Sequence, residues 1–198
     1  MATEKFLFGT VGSPLSTPKK PGGTPGGILR MHELGLTTLE LAWVQSVRVG
    51  DDDQDRQYRA FLSFDTRSLP DNAVIDSVIL RLKKTTGAGV SPFKTHGDLM
   101  VDITKPYFGP AKSLQIGDFQ AAGTVSGKVN PTPVNALYLA VLPRPAFTLI
   151  NPAGYTQIRL RFKLGDNDNM VANYLSFFSG NATNPNVRPV LVIVYHLP

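Results

Sequence analysis

Cysteine is absent from the 198 residues. Disulfides, thiol nucleophiles and thiolate zinc sites are thereby excluded, and the redox compartment is left open. Long apolar runs are absent too. The longest, ALYLAVL (136–142) and PVLVIVY (189–195), fall far short of the roughly 20 residues that a helical membrane span needs, so membrane insertion is not expected. Histidine is scarce: His32, His96 and His196 occur in no triad or nucleophile-elbow context. There is no Gly-x-Ser-x-Gly and no phosphate-binding glycine loop. A non-enzymatic protein is expected. The start, MATEKFLFG, lacks the basic, apolar and small-residue succession of a secretory signal. Either such a signal has been removed, or the protein does not cross a membrane by that route.

Charge of one sign is not concentrated. The net charge is +5. Residues 1–30 carry Lys5, Lys19, Lys20 and Arg30 against Glu4, a net of 4 − 1 = +3. Residues 31–198 carry the other 20 − 4 = 16 basic and 15 − 1 = 14 acidic residues, a net of +2. A nucleic-acid partner is not expected from so balanced a body.

Apolar residues make up 42% and charged residues 18%, the balance of a globular chain. Eighteen glycines and sixteen prolines favour many short elements joined by turns. Residues 12–27, GSPLSTPKKPGGTPGG, have no periodicity and read as a linker. Before them, KFLFGTV (5–11) is apolar and β-prone. Residues 1–30 therefore read as an extended arm. Its Lys5, Phe6, Leu7, Phe8 and Val11 are the candidates to add a strand to an open sheet edge of a neighbour.

Residues 31–198 read as one β-domain. Alternation marks strands over 36–49, 58–64, 74–83, 99–103, 135–142, 155–164, 172–178 and 190–195. Turn residues separate them, residues 109–132 read as loop, and no stretch carries a useful helical period. The expected class is all-β, an antiparallel sandwich. In residues 157–164, Ile158, Leu160, Phe162 and Leu164 share one face. Gln157, Arg159, Arg161 and Lys163 share the other. The first row is expected in the core and the second outside. There Arg159, Arg161 and Lys163 keep the sheet soluble or grip an anionic ligand or another subunit.

Three segments carry a family resemblance. They are YRAFLSFDTRSLPDNAVIDSVILRL (58–82), GYTQIRLRF (154–162) and NYLSFFSGNATNPNVRPVLVIVY (173–195). In this order they resemble the DNRLRE domain family, β-sandwich modules of large bacterial and archaeal surface proteins. The resemblance implies a jelly-roll-like sandwich without catalytic machinery. It also implies a polysaccharide partner, since some relatives are carbohydrate-binding modules.

Within these segments the expected roles are structural. Asp65 can cap the turn that Leu69-Pro70-Asp71-Asn72 continues, and Arg188, held extended by Pro189, can pair with a carboxylate such as Asp65. Calcium is the one ion with a motif. Asp51, Asp52, Asp53 and Asp55 form one oxygen-rich cluster, and Asp166 and Asp168 belong to another. An EF-hand register fails, because its fifth and twelfth positions from Asp166 are Met170 and Phe177. Such clusters also build ordinary turns. Trp43 reads as core, Tyr107, Phe108, Tyr138 and Tyr155 as aromatics that could meet a glycan, and Asn181-Ala182-Thr183 as a glycosylation sequon.

Together these features lead to a structural and adhesive module on the outside of a large assembly of like or different subunits. A virion exterior, as capsid decoration or tail-associated protein, is the first placement. An extracellular or cell-surface module that forms filaments or binds polysaccharide is the second.

Overall fold

In the computed structural model, residues 45–198 are described throughout, and before them only the backbone of three strands. Those three are β1 (Thr3–Thr10), β2 (Gly26–Met31) and β3 (Thr37–Ala42). Nine more strands follow: β4 (Ser46–Asp51), β5 (Gln57–Asp65), β6 (Val74–Ala88), β7 (Leu99–Thr104), β8 (Val125–Lys128), β9 (Leu137–Val141), β10 (Tyr155–Phe162), β11 (Asn173–Phe178) and β12 (Val190–His196). One short helix, α1 (Pro92–Thr95), and three 3-10 turns complete the described elements.

Every pairing is antiparallel. The all-β reading stands, and the sheet curls. β6 explains how. Its first half pairs with β12 on one side and β9 on the other, while its second half pairs with β11. From β11 the sheet continues through β4, β5, β10, β7 and β8. A single 15-residue strand thus serves both walls, and the apolar rows of both walls meet inside.

The enclosed core includes Val49, Leu62, Phe64, Val78, Leu80, Leu82, Ile103, Ile158, Leu160, Phe162, Phe177 and Ile193. Alternation places these residues inward, and burying such side chains is the main stabilising term.

Two boundaries differ from the sequence reading. The strand expected over 36–49 is two, β3 and β4, with Trp43 outside the described residues. The loop expected over 109–132 holds a 3-10 turn, Ile116–Phe119, and the edge strand β8. Both are too short for a periodicity to register.

A second apolar cluster lies outside the main core. Phe61 of β5 meets Phe108, Leu114 and Phe119, all from the connection between β7 and β8. Phe61 and Phe108 pack edge to face at 5.5 Å. This connection crosses the outer face of β5 and β10, so both strands are buried on both sides.

Candidate functional site

The outer row of β10 is not a solvated face. Gln157 has no exposed surface and Arg159 is 3% exposed. The cover that buries them is pinned by their own donors. Gln157 Oε1 accepts the Phe108 N–H at 3.1 Å, and its Nε2 donates to the Lys112 carbonyl at 3.3 Å. Arg159 Nη1 donates to the carbonyls of Asp118, Phe119 and Ala121 at 3.1, 3.2 and 2.6 Å. Its Nε and Nη2 reach Asp102 Oδ2 at 3.1 and 2.6 Å. Arg161 takes the same carboxylate with Nε at 2.7 Å and Nη2 at 3.3 Å.

The expectation of an outward cationic row is therefore corrected at Arg159 and Arg161, whose charge Asp102 absorbs. Lys163 alone of the three is exposed. Leu164, expected in the core, is 49% exposed because β10 ends at Phe162.

Asp102 was not singled out by the sequence, where it is one acid in LMVDITK. Pairing decides its role: Asp102 stands opposite Arg159 on β10 and Ser126 on β8. Burial pushes its carboxyl pKa up, but hydrogen bonds from Arg161, Ser126 and Arg159 outweigh burial and hold it below the ordinary carboxylate range. A third guanidinium, Arg59, joins from β5. It donates to the Phe119 carbonyl and, at 3.2 Å, to Gln57 Oε1. Burial and the repulsion of Arg159 and Arg161 bring its pKa down to about 10. This layer is a structural ion network: three arginines tie the cover to the sheet through one carboxylate and several carbonyls.

The expected pair of Asp65 with Arg188 does not form. Asp65 accepts from Arg67 instead, from its backbone N–H at 3.2 Å and its Nε at 2.9 Å. Arg188 Nε donates to the Ala182 carbonyl at 2.9 Å. Local partners two and six residues away leave neither side chain to the other. Asn181 is a poor glycan acceptor, because its Nδ2 is buried without a partner and its sequon Thr183 is engaged by Gln45.

The two acidic segments, distant in sequence, meet in space. The Met170 N–H donates to both oxygens of Asp55, at 2.9 and 3.2 Å. Asp51 accepts the Asn173 N–H at 3.1 Å and the His96 Nε2 at 2.9 Å, both partners fully buried. Asp52 takes the N–H of Gln54 and of Arg56, the Arg56 guanidinium and the Tyr58 hydroxyl. Asp53 is exposed.

Asp166 is the strained member. Burial, a hydrogen bond shared with Asp168, and the charges of Asp168, Asp55 and Asp51 push its pKa up to about 6. Each of the other buried carboxylates already has protein donors, which is what a turn requires. Among the described residues no three of His, Asp and Glu converge in a metal-holding arrangement. His96 also contacts Thr95 Oγ1 through Nδ1 at 2.6 Å. The chain Thr95–His96–Asp51 has the order of a proton relay. Its imidazole is buried against Phe162, and it ties α1 to β4.

The arm residues Lys5, Phe6, Leu7 and Phe8 belong to β1, whose backbone runs antiparallel to β12 with Phe6 opposite Val192 and Leu7 opposite Leu191. Gly9 and Thr10 then pair with Phe64 and Ser63 of β5. Val11 lies outside the described residues. β1 thus fills the edge of β12 and bridges to β5.

A cleft of about 210 Å³ opens where β6 passes into α1, between Tyr138 of β9 and Leu175 of β11. No helix among the described residues is long and apolar enough to cross a membrane. No protein-family model matches the chain, and no curated protein matches it.

Proposed function

We propose that this protein is a non-enzymatic structural and adhesive module on the exterior of a large assembly, in which β1 links one copy to the next. The observation that carries this reading is the seat of β1. β12 pairs with β6 on one side only, and β1 occupies the other. A strand edge fillable by a short N-terminal peptide is a site for strand addition. The chain between β1 and β2 contains KKPGGTPGG, a composition whose reach suits exchange of β1 between copies. Capsid decoration or a tail-associated position on a virion is the first placement.

Because the chain has no cysteine, Phe6→Cys with Val192→Cys gives a clean readout. Oxidation of the native assembly should yield covalently linked multimers, and deletion of residues 1–27 should reduce particle mass to that of one copy. Covalent monomers throughout, with particle mass unchanged by the deletion, would sink strand exchange.

The second reading is an extracellular module, filament-forming or cell-surface, that binds polysaccharide. The resemblance to DNRLRE modules supports it, and one observation favours it: the cleft beside Tyr138, with its polar wall. Mass measurement of native material separates a lattice, a filament and a lone module.

A further inference from the structure

The inward row of β6 runs Val78, Leu80, Leu82, each fully buried, and its next member is Lys84. Lys84 stands opposite Phe177, a fully buried residue of β11, and its N–H is held by the Ala136 carbonyl. Strand alternation therefore aims this lysine to the core side of the sheet, at its open end. There it lines the cleft with Ser91, Pro92, Tyr138 and Leu175 and the backbone of Gly87–Gly89. Among the described residues no acidic side chain lines the cleft, and Lys84 has no carboxylate partner. Lys84 is half-buried at the mouth of this cleft, and its ammonium is the one charge that a ligand anion entering there would meet among the described lining residues.

The rest of the lining is equally specific. The Tyr138 ring is wedged between Phe93, stacked at 6.0 Å, and Phe177, edge-on at 5.5 Å. Its hydroxyl has no hydrogen-bond partner among the described residues. Burial raises its pKa, so it stays protonated and donates. The opposite wall is the Gly87–Gly89 segment with Tyr174, where two glycines let β6 lie close against the chain at β11. A Cβ on Gly87 would stand 2.9 Å from the Tyr174 carbonyl oxygen, and one on Gly89, at φ +66°, would stand 1.9 Å from the Ala172 carbonyl oxygen. Pro92 and Leu175 add apolar surface. The volume, about 210 Å³, lies below the roughly 300–1,000 Å³ of sites for drug-sized ligands.

We propose that this cleft binds a small hydroxylated carboxylate no larger than one six-membered ring, its carboxylate on Lys84 and a hydroxyl oxygen accepting from Tyr138. A free hydroxy acid and an acidic sugar unit of a glycan share that chemistry. The proposal is independent of strand exchange between copies and narrows the polysaccharide alternative.

The test is an amide-shift titration of the full chain with glucuronate, with glucose and acetate as controls. Glucuronate should produce saturable shifts at Gly87–Gly89, with glucose and acetate at least about tenfold weaker, a loss of roughly the size of one charged or bidentate contact. Lys84→Met should abolish the shifts and Tyr138→Phe should weaken them about tenfold. Both should melt close to the parent, which separates lost binding from lost folding. A glucuronate oligosaccharide that binds as well as the monosaccharide identifies a glycan as the source, and one that fails identifies the free acid. No saturable shift, equal affinity for glucose or acetate, or full affinity in Lys84→Met would overturn the proposal.

Discussion

The two faces of β10 are both buried, but by different means. Inward, Ile158, Leu160 and Phe162 meet other apolar side chains. Outward, Gln157, Arg159 and Arg161 meet backbone carbonyls, one carboxylate and the faces of aromatic rings, with the Arg159 guanidinium 4.6 Å from the Phe108 ring centre. The inner face is held by area removed from water, which is non-directional and forgiving of shape-conserving exchange. The outer face is held by donors that must find their acceptors. Such a layer fixes one arrangement of the cover, and it suffers most when a single partner is lost.

Asp102→Ala should separate the two faces most sharply. It leaves Arg159 and Arg161 without their carboxylate beneath the cover, at a cost of about 3–5 kcal/mol. Replacing Asp102, Arg159 and Arg161 together by Leu or Met should cost less than the single change, measured by denaturant unfolding. An additive, larger loss in the triple variant would remove the idea that stranded charge is the cause.

Leu160→Ala on the inner face should cost about 2–5 kcal/mol, the range for a cavity in a packed core. Leu160→Met should be nearly silent, because volume is what that face reads. Arg159→Lys comes next, at about 1–3 kcal/mol, the cost of leaving a buried acceptor unsatisfied. A lysine keeps the charge but loses the fork that serves Asp102 and three carbonyls at once. Its readout is faster amide exchange at Phe108 and Gln115–Ala121, with the inner strands unchanged.

The smallest effect has the opposite sign. Asp166 has a folded pKa near 6, above its ordinary 3.8. Its charged form is thus disfavoured in the native state, so the protein is destabilised above pH 6 and regains that stability as pH falls from about 6 toward 3.8. Asp166→Asn should raise Tm slightly at pH 7 and erase the gain between pH 7 and pH 5. A cation held by these acids would reverse the result in its presence, because the parent would then be stabilised and the variant would not. Asp102 works the other way: its lowered pKa adds stability above 3.8 that is lost only in stronger acid. Melting curves at pH 7, 5 and 3 distinguish the two groups.

The contrast also marks what could be read in advance. A period of two placed β5, β6, β10, β11 and β12 within a residue or two at most ends, because a strand with a buried face must alternate. The same logic misplaced Arg159. Alternation says that Arg159 and Ile158 face opposite ways, but not whether anything lies over the second face. The cover was invisible because residues 105–124 have no periodicity; only Phe108, Leu114 and Phe119 hint at burial. The meeting of Asp51–Asp55 with Asp166–Asp168 was equally hidden, since more than 100 residues separate them and composition carries no distance. Lys84 was legible in principle: it continues an inward row by the same period that placed Leu82.

By itself the sequence determined the strands, their inner rows and the absence of thiol chemistry, because these depend on local periodicity and composition. Tertiary structure alone decided that β6 serves both walls and that Asp102 absorbs two arginines. It alone also decided that Asp65 and Arg188 ignore each other and that Lys84 faces a cleft. Each of these depends on which distant side chain arrives within a few ångströms, and hydrogen bonds and ion pairs act only at that range.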